Sequence, residues 1–346
     1  MFDFSYLKGT VFRKTKRRLW VLSVFGLITG CVALWFAMRG VAYNELAKTI
    51  GSTSVSFLVA SWFAYLTNVF LRVFRWHLFF SQQVSLPLVA AKTQLLGMAV
   101  NNVLPARIGE VFRIEYAHRL FGVARGYCAG VLIGERTLDL ISLALVLFIG
   151  TELTDLGDGN VFSADWSYVK WGFGLLLAVS ATFVLILYLF SRSKILSKFG
   201  CSTDTVNSSS LRFRRVCEWL HREMMQASES FRDKSANIII AIIVTTFLVW
   251  CFEALSLYFV FLSLGIDINF GGVALVLFAV SLSTLIPSAP GYVGTFQLAF
   301  VVALSFLGIE SALAVSASIL HQLFNVGVFS VLGFLSFFVF RPQRDN

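Results

Sequence analysis

Charged side chains are scarce in this sequence. Asp, Glu, Lys and Arg make up 14% of its 346 residues, against about a quarter in soluble globular domains. That excludes an ordinary water-solvated fold, which needs more charge to cover its surface. Histidine is rarer still, and His77, His118, His221 and His321 fall at no metal-ligand spacing. Five cysteines, Cys31, Cys128, Cys201, Cys217 and Cys251, are scattered without paired spacing. Neither a disulfide framework nor a metal site is indicated, and no cofactor is expected. HExxH, GxSxG and phosphate-loop signatures are missing, so the common hydrolase and nucleotide-binding classes have no support. Proline is rare as well, and three of the five prolines stand in two short segments that break apolar runs.

What is abundant is apolar. Hydrophobic residues make up 57% of the chain, 36 of them Phe, and the mean hydropathy is +0.78. Six stretches have spanning length, roughly 19–38, 52–71, 126–149, 168–190, 237–264 and 313–340, each near the ~20 residues that cross a bilayer. The net charge of +9, from 28 Lys and Arg against 19 Asp and Glu, reads as basic loops on the cytoplasmic side rather than as a nucleic-acid surface. Lys8, Arg13, Lys14, Lys16, Arg17 and Arg18 place the N-terminus inside. Arg72, Arg75 and His77 return the second span inside, and Arg341 and Arg344 do the same for the C-terminus. The segment 151–165 carries Glu152, Asp155, Asp158 and Asp165 with no Lys or Arg, as an external loop should. These signs describe a multi-pass protein of the inner membrane with both termini cytoplasmic.

Two further apolar stretches, about 88–106 and 271–307, keep that topology consistent only if they do not simply cross. Each is expected to form a re-entrant helical hairpin, one opening from each face, because broken backbone at membrane depth must be buried in protein or line a wet cavity. Eight full crossings are the alternative, and would put Arg107, Arg113, Arg119 and Arg125 outside. With hairpins, the chain is a single all-α transmembrane domain over 1–346 with half-repeats near 19–150 and 168–340. Pro105 and Pro287 stand 182 residues apart (287 − 105) and each is followed four residues on by Gly, Gly109 or Gly291. That is a weak internal repeat of inverted topology, and paired helix breaks in two halves point to a transporter's binding site.

The candidate residues lie at those breaks and inside the spans. Asn101-Asn102-Val103-Leu104-Pro105-Ala106-Arg107-Ile108-Gly109-Glu110-Val111-Phe112-Arg113 sets ionisable groups within an apolar sequence, where charge is costly. Arg107 and Arg113 suit a phosphate, since a guanidinium stays charged and donates bidentately, with Glu110 holding an arginine in place. A cytoplasmic surface hairpin is the plain alternative. Glu135 and Asp139 share a helix face and Arg136 reaches Asp139 at i+3, either as an internal ion pair or as a proton-coupling carboxylate. Glu253 stands in mid-span and needs a partner from another helix or a proton. Pro287, Pro290, Gly291 and Gly294 supply free backbone and close approach. His321, with Gln322 and Asn325, forms a polar patch in the last span that reads as interhelical hydrogen bonding, with headgroup contact or proton handling by His321 as the alternative. Phe213, Val216, Cys217, Leu220, Met224, Ala227 and Phe231 recur at helical spacing within 191–235, which reads as an amphipathic cytoplasmic segment on the membrane surface.

Several of these stretches also carry a family likeness. Arg72-Val73-Phe74-Arg75-Trp76, the Asn102–Arg113 motif, Gly134-Glu135-Arg136-Thr137-Leu138-Asp139 and Ile286-Pro287-Ser288-Ala289-Pro290-Gly291-Tyr292-Val293-Gly294-Thr295-Phe296 together resemble the transmembrane region of lysylphosphatidylglycerol synthases. The resemblance implies movement of a polar lipid between leaflets, with a lipid headgroup and the bilayer as partners and room for a homo-oligomer. Gln297 stands where members often have Glu, which argues against a proton-carrying role there. Only Arg341–Asn346 follows the last span, so the synthase activity is not implied. An intramembrane lipid-modifying enzyme and a non-transporting assembly factor remain the competing classes.

Overall fold

The computed structural model describes residues 16–83, 87–104, 107–153, 226, 229, 232 and 234–339, and all regular structure among them is helical. The first half comprises Lys16–Met38 (α1), Tyr43–Gly51 (α2), Val55–Phe79 (α3), Pro87–Val103 (α4), Ile108–Phe121 (α5) and Arg125–Leu153 (α6). The second comprises Ala236–Ser263 (α7), Phe270–Ser283 (α8), a single helical turn at Pro290–Tyr292, Thr295–Ser305 (α9) and Ser311–Val339 (α10). Among the described residues, α3, α7 and α10 are long and apolar enough to cross a membrane, and α1 with α2 makes a fourth if the pair is one span bent by 83°. Gly40 allows that bend, with a φ of +83° that an L side chain resists. The stretch at 126–149 falls within α6, whose 29 residues are interrupted by Glu135, Arg136 and Asp139. The span at 168–190, nearly all of the 151–165 loop and most of the 191–235 segment lie outside the described residues.

Polar groups at seven-residue intervals join α3 to α7. The Ser54 amide donates to Ser263 O at 2.8 Å, Ser61 Oγ to Ser256 O at 2.8 Å, and Asn68 Nδ2 to Val249 O at 2.6 Å. One heptad further on, Arg75 reaches Thr246 Oγ1 at 3.4 Å. Numbers rise on one helix as they fall on the other, so the two run antiparallel along a coiled-coil-like seam. In lipid such hydrogen bonds between helices supply the cohesion that hydrophobicity cannot.

The other packings repeat across the halves. Within each half the two arms of a break pack together, α4 on α5 and α8 on α9. Between halves, α4 lies along α10, where Gly333 meets Ala99 and Leu95, and α8 lies along α6, where Gly150 meets Ala274 and Gly271. Exchanging α3, α4, α5 and α6 for α7, α8, α9 and α10 turns each of these packings into another. The sequence offset behind the exchange is 185 residues (290 − 105), which lays Pro105-Ala106-Arg107-Ile108-Gly109 on Pro290-Gly291-Tyr292-Val293-Gly294. It also brings the start of α6 to within one residue of the start of α10. The expected pairing of Pro105 with Pro287 is therefore three residues out of register. Pro287 belongs to the extended lead-in after α8, and Pro290 opens the turn.

Against the second break packs α1, through a Gly-x-x-x-Gly pair that sequence reading passes over. A Cβ at Gly26 would stand 2.7 Å from Ser288 O, and one at Gly30 would stand 2.8 Å from both Val293 O and the Ala289 methyl. Gly294, at φ +93°, sits on the Gly30 carbonyl. Small residues at this spacing bring backbones together in membranes. Gly30→Val is expected to destabilise the protein by ~1–3 kcal/mol through overpacking. Thermal unfolding in detergent measures this, and an unchanged midpoint would mean that α1 is not held there.

Candidate functional site

The site grows from the two breaks. The two arms α4 and α5 approach most closely at Gly97 and Gly109, each within its helix. A side chain on Gly109 would overlap Gly97 O and the Asn101 amide, and Gly97 itself lies beneath the aliphatic part of Arg113. Arg107 caps α5 in the left-handed region at φ +53°. In the second break Gly291 and Tyr292 are also left-handed, at +66° and +63°. Arg107 and Tyr292 are the only non-glycine residues with positive φ among those described, and they are counterparts under the 185-residue offset. Such backbone costs ~1–2 kcal/mol per residue and concentrates where function requires it.

These two residues face one cavity of about 260 Å³, walled also by Asn101, Leu104, Thr284 and Pro287. Arg107 crosses it to the other break: Nε donates to Thr284 O at 2.9 Å and Nη2 to Thr284 Oγ1 at 2.6 Å. Asn101 Oδ1 is enclosed without a hydrogen-bonding partner among the described residues. Leu104, Leu285 and Ile286 are exposed apolar residues on the same rim. A polar floor beneath a greasy rim is what an amphiphile would meet.

Behind the cavity lies a buried ionic network. Glu135 receives Arg113 at 2.8 Å and Arg75 at 3.0 Å, and Asp139 receives Arg75 at 2.5 Å and Trp250 Nε1 at 3.2 Å. Arg136 stands 3.5 Å from Glu135, 3.4 Å from Asp139 and 3.3 Å from Glu110. Glu110 in turn lies 3.6 Å from Arg107. Arg113 is fully buried, with its guanidinium 3.9 Å above the Trp76 ring, so in this conformation it anchors Glu135 and has no face on the cavity. Four arginines (75, 107, 113, 136) against three carboxylates (110, 135, 139) leave one surplus positive charge. The least buried of these cations are Arg107 and Arg136, with side chains 24% and 32% exposed.

A second polar cluster lies between α3, α7 and α10. Glu253, expected to need a partner, has two: Arg72 at 3.4 Å and His321 Nε2 at 3.3 Å. Next to it Gln322 Nε2 donates to Gly291 O at 2.7 Å, Gln322 Oε1 accepts from Gln297 Nε2, and Gln297 Oε1 accepts the Gly294 N–H at 2.7 Å. Gln297 therefore serves as a capping group for α9. Asn102 Nδ2 donates to Val326 O at 3.2 Å and tethers the first break to α10.

The structure thus gathers Arg107, Asn101, Pro287 and Tyr292 at the cavity, Glu110, Arg113, Glu135, Arg136 and Asp139 behind it, and Glu253, Gln297 and His321 beside the second break. Pro290, Gly291 and Gly294 shape the turn, while Pro105 lies outside the described residues. Arg72 and Arg75 need correction: they are not loop charges marking a cytoplasmic end. Their helix runs on to Phe79, Arg75 is wholly buried, and both are tied to carboxylates on other helices. The signal available was their i, i+3 spacing within a motif that also holds Trp76. Thr284 and Trp250 carried no sequence signal at all.

At the exposed end of the first break, Arg125 hydrogen-bonds Glu115 and, against partial desolvation and with help from Arg119, holds it down to about 2. A depressed carboxylate contributes stability above its ordinary value of 4.5 and loses it as pH falls toward 2. The stability difference between wild type and Glu115→Gln should therefore be largest at neutral pH and shrink through that window. Unfolding midpoints taken across it measure the effect, and a constant difference would overturn the assignment.

A family model described as the lysylphosphatidylglycerol synthase TM region matches residues 23–333. The chain is similar to a UPF0104 membrane protein of Methanocaldococcus jannaschii, at 24% identity over 251 residues, covering 70% of this chain and 94% of the relative. A UPF0104 membrane protein of Pyrococcus horikoshii is 24% identical over 333 residues, covering 91% and 95%.

Proposed function

The chain belongs to the lysylphosphatidylglycerol synthase transmembrane-region family, and from that premise we propose that it carries a polar, anionic lipid headgroup between membrane leaflets without altering it chemically. The observation behind this reading is the meeting of both helix breaks at one cavity, where Arg107 faces the space and, counted together with the network behind it, leaves one more positive charge than negative. An anionic headgroup entering there balances that charge, while acyl tails stay outside along Leu285 and Ile286. Arg107 is the headgroup contact. Glu110 and Arg136 set its orientation and field, and Arg113 holds Glu135 and Trp76 in place.

In this reading α6 and the stretch at 168–190 complete six spans, the two breaks form re-entrant hairpins in an inner membrane with both termini cytoplasmic, and the antiparallel relation of α3 to α7 supplies the inverted symmetry for alternating access. Each hairpin tip contributes one left-handed non-glycine residue, Arg107 or Tyr292, and exposure switches as the Arg107–Thr284 contact opens. The test is a headgroup-accessibility assay in proteoliposomes made from the host's lipids. Labelled headgroups should reach the opposite leaflet faster with the protein than in empty vesicles. Equal rates across the main lipid classes would overturn the reading.

A further inference from the structure

The second half puts a different cation where the first half has an arginine. Under the 185-residue offset (321 − 136), His321 on α10 occupies the place of Arg136 on α6. Arg136 faces Glu110, Glu135 and Asp139 and stays charged at any physiological pH. His321 faces Glu253, with the two side chains 2% and 6% exposed, and an imidazole changes charge between pH ~5 and 8. The proximity of Nε2 to Glu253 Oε1 assigns a hydrogen to Nε2. That leaves Nδ1, enclosed and without a hydrogen-bonding partner among the described residues, as the atom that takes up a proton.

The surroundings are short of other titratable groups. From α3 the ring meets Tyr65 edge-on, and Arg72 stands on the far oxygen of Glu253. The α9 helix contributes Phe296 and Phe300, each with its centroid 6.1 Å away, and contains no ionisable residue. On α4, Lys92 lies over the Tyr116 ring of α5, and Glu45 and Lys48 of α2 are exposed. On α1 from Val24 to Met38 there is no Asp, Glu, Lys, Arg or His, and α10 itself has none besides His321.

We infer that His321 is a proton-binding site that couples a proton to movement of the second hairpin. Unprotonated, Arg72, Glu253 and His321 sum to zero; protonated, they sum to one positive charge sealed from water. The adjoining residue, Gln322, holds the Gly291 carbonyl and, through Gln297, the Gly294 amide. The turn that carries Tyr292 into the cavity therefore hangs from the helix position that changes charge. The arginine repeat keeps a fixed charge, and the histidine repeat switches.

Two measurements on the full chain in nanodiscs test the site without any assumption about transport. Nitrogen NMR of labelled histidine should show Nδ1 of His321 gaining a proton as the pH is lowered. In a background with the native cysteines replaced by serine, Ser288→Cys, buried on the cavity wall, reports opening of the hairpin through its alkylation rate. That rate, divided by the rate of an exposed single-cysteine control that follows thiol ionisation alone, should shift as the pH is lowered. His321→Gln should hold this ratio at its high-pH value and His321→Arg at its low-pH value. A single charge state for His321 throughout, or an unaltered pH response in His321→Gln, overturns the inference. A third measurement rests on the translocation reading: a gradient of one pH unit should drive up to about tenfold lipid asymmetry if one proton accompanies each lipid, and His321→Arg should abolish it. Lipid movement indifferent to the gradient overturns the coupling and leaves translocation standing. Failure of any lipid to move, with the titration intact, overturns translocation and leaves the proton site.

Discussion

Arg107→Ala should slow lipid transfer in proteoliposomes by about 10- to 100-fold, since hydrogen bonds to a charged group are worth ~1.5–3 kcal/mol and each 1.4 kcal/mol is about tenfold. Arg107→Lys keeps the charge but loses the planar fork, and should recover only part of the rate. Arg107→Gly separates headgroup binding from backbone strain. It removes the same guanidinium but fits the left-handed φ of +53°, so it should be ~1 kcal/mol more stable than Arg107→Ala and transfer no faster. Equal transfer by Ala and Gly despite different unfolding midpoints would identify the side chain as the working part. Wild-type transfer by Arg107→Ala would remove Arg107 from the path and the proposed function with it.

The largest effect on stability is expected at Glu135. Its carboxylate meets Arg113 at 2.8 Å and Arg75 at 3.0 Å, and all three side chains are at most 1% exposed. Glu135→Gln keeps the shape and raises the network's surplus from one positive charge to two. Breaking a buried pair from one side costs ~3–5 kcal/mol, a large share of the ~5–15 kcal/mol that holds a typical domain. The variant should unfold at a clearly lower temperature in detergent. Adding Arg113→Met restores the surplus to one and should return a substantial part of the loss, the non-additivity expected of groups in contact. A neutral single variant would mean that water reaches the network and that its charges are screened.

The expected spans that reappear as long apolar helices, α7 and α10 within two residues and α3 running on from 71 to Phe79, are those whose apolar runs contain few charges, so local composition decides them. Both breaks were legible for a similar reason, because proline with glycine interrupts a helix wherever it stands. Arg136 with Asp139 was legible because i+3 is a local distance. Partners far along the chain were not: Glu253 meets Arg72 across 181 positions, and no pattern in either segment names the other. Arg75 was misplaced for a different reason. Counting basic residues near a span end treats each as solvated, and one drawn inward by Glu135 and Asp139 looks the same in sequence. The likeness of the two breaks was visible in the sequence, but the alignment of one on the other was not, because Pro287 and Pro290 stand three residues apart and only the left-handed pair Arg107 and Tyr292 shows which proline opens the turn.

The placement of the network within the chain bears on how the protein is made. Residues from Arg75 to Asp139 supply every ion-pair partner in it, whereas α7, which covers it through Trp250 and Thr246, is synthesised later. A nascent chain that has delivered α3 to α6 into the bilayer can already neutralise the network's carboxylates and all but one of the network's arginines, so little of that charge faces lipid bare while the ribosome completes the second half. The joints between halves close later, Arg72 to Glu253 when α7 arrives and Asn102 to Val326 with the final helix. Ordering the chain this way lets an otherwise forbidding cluster of charge enter an insertion machinery that handles one helix at a time.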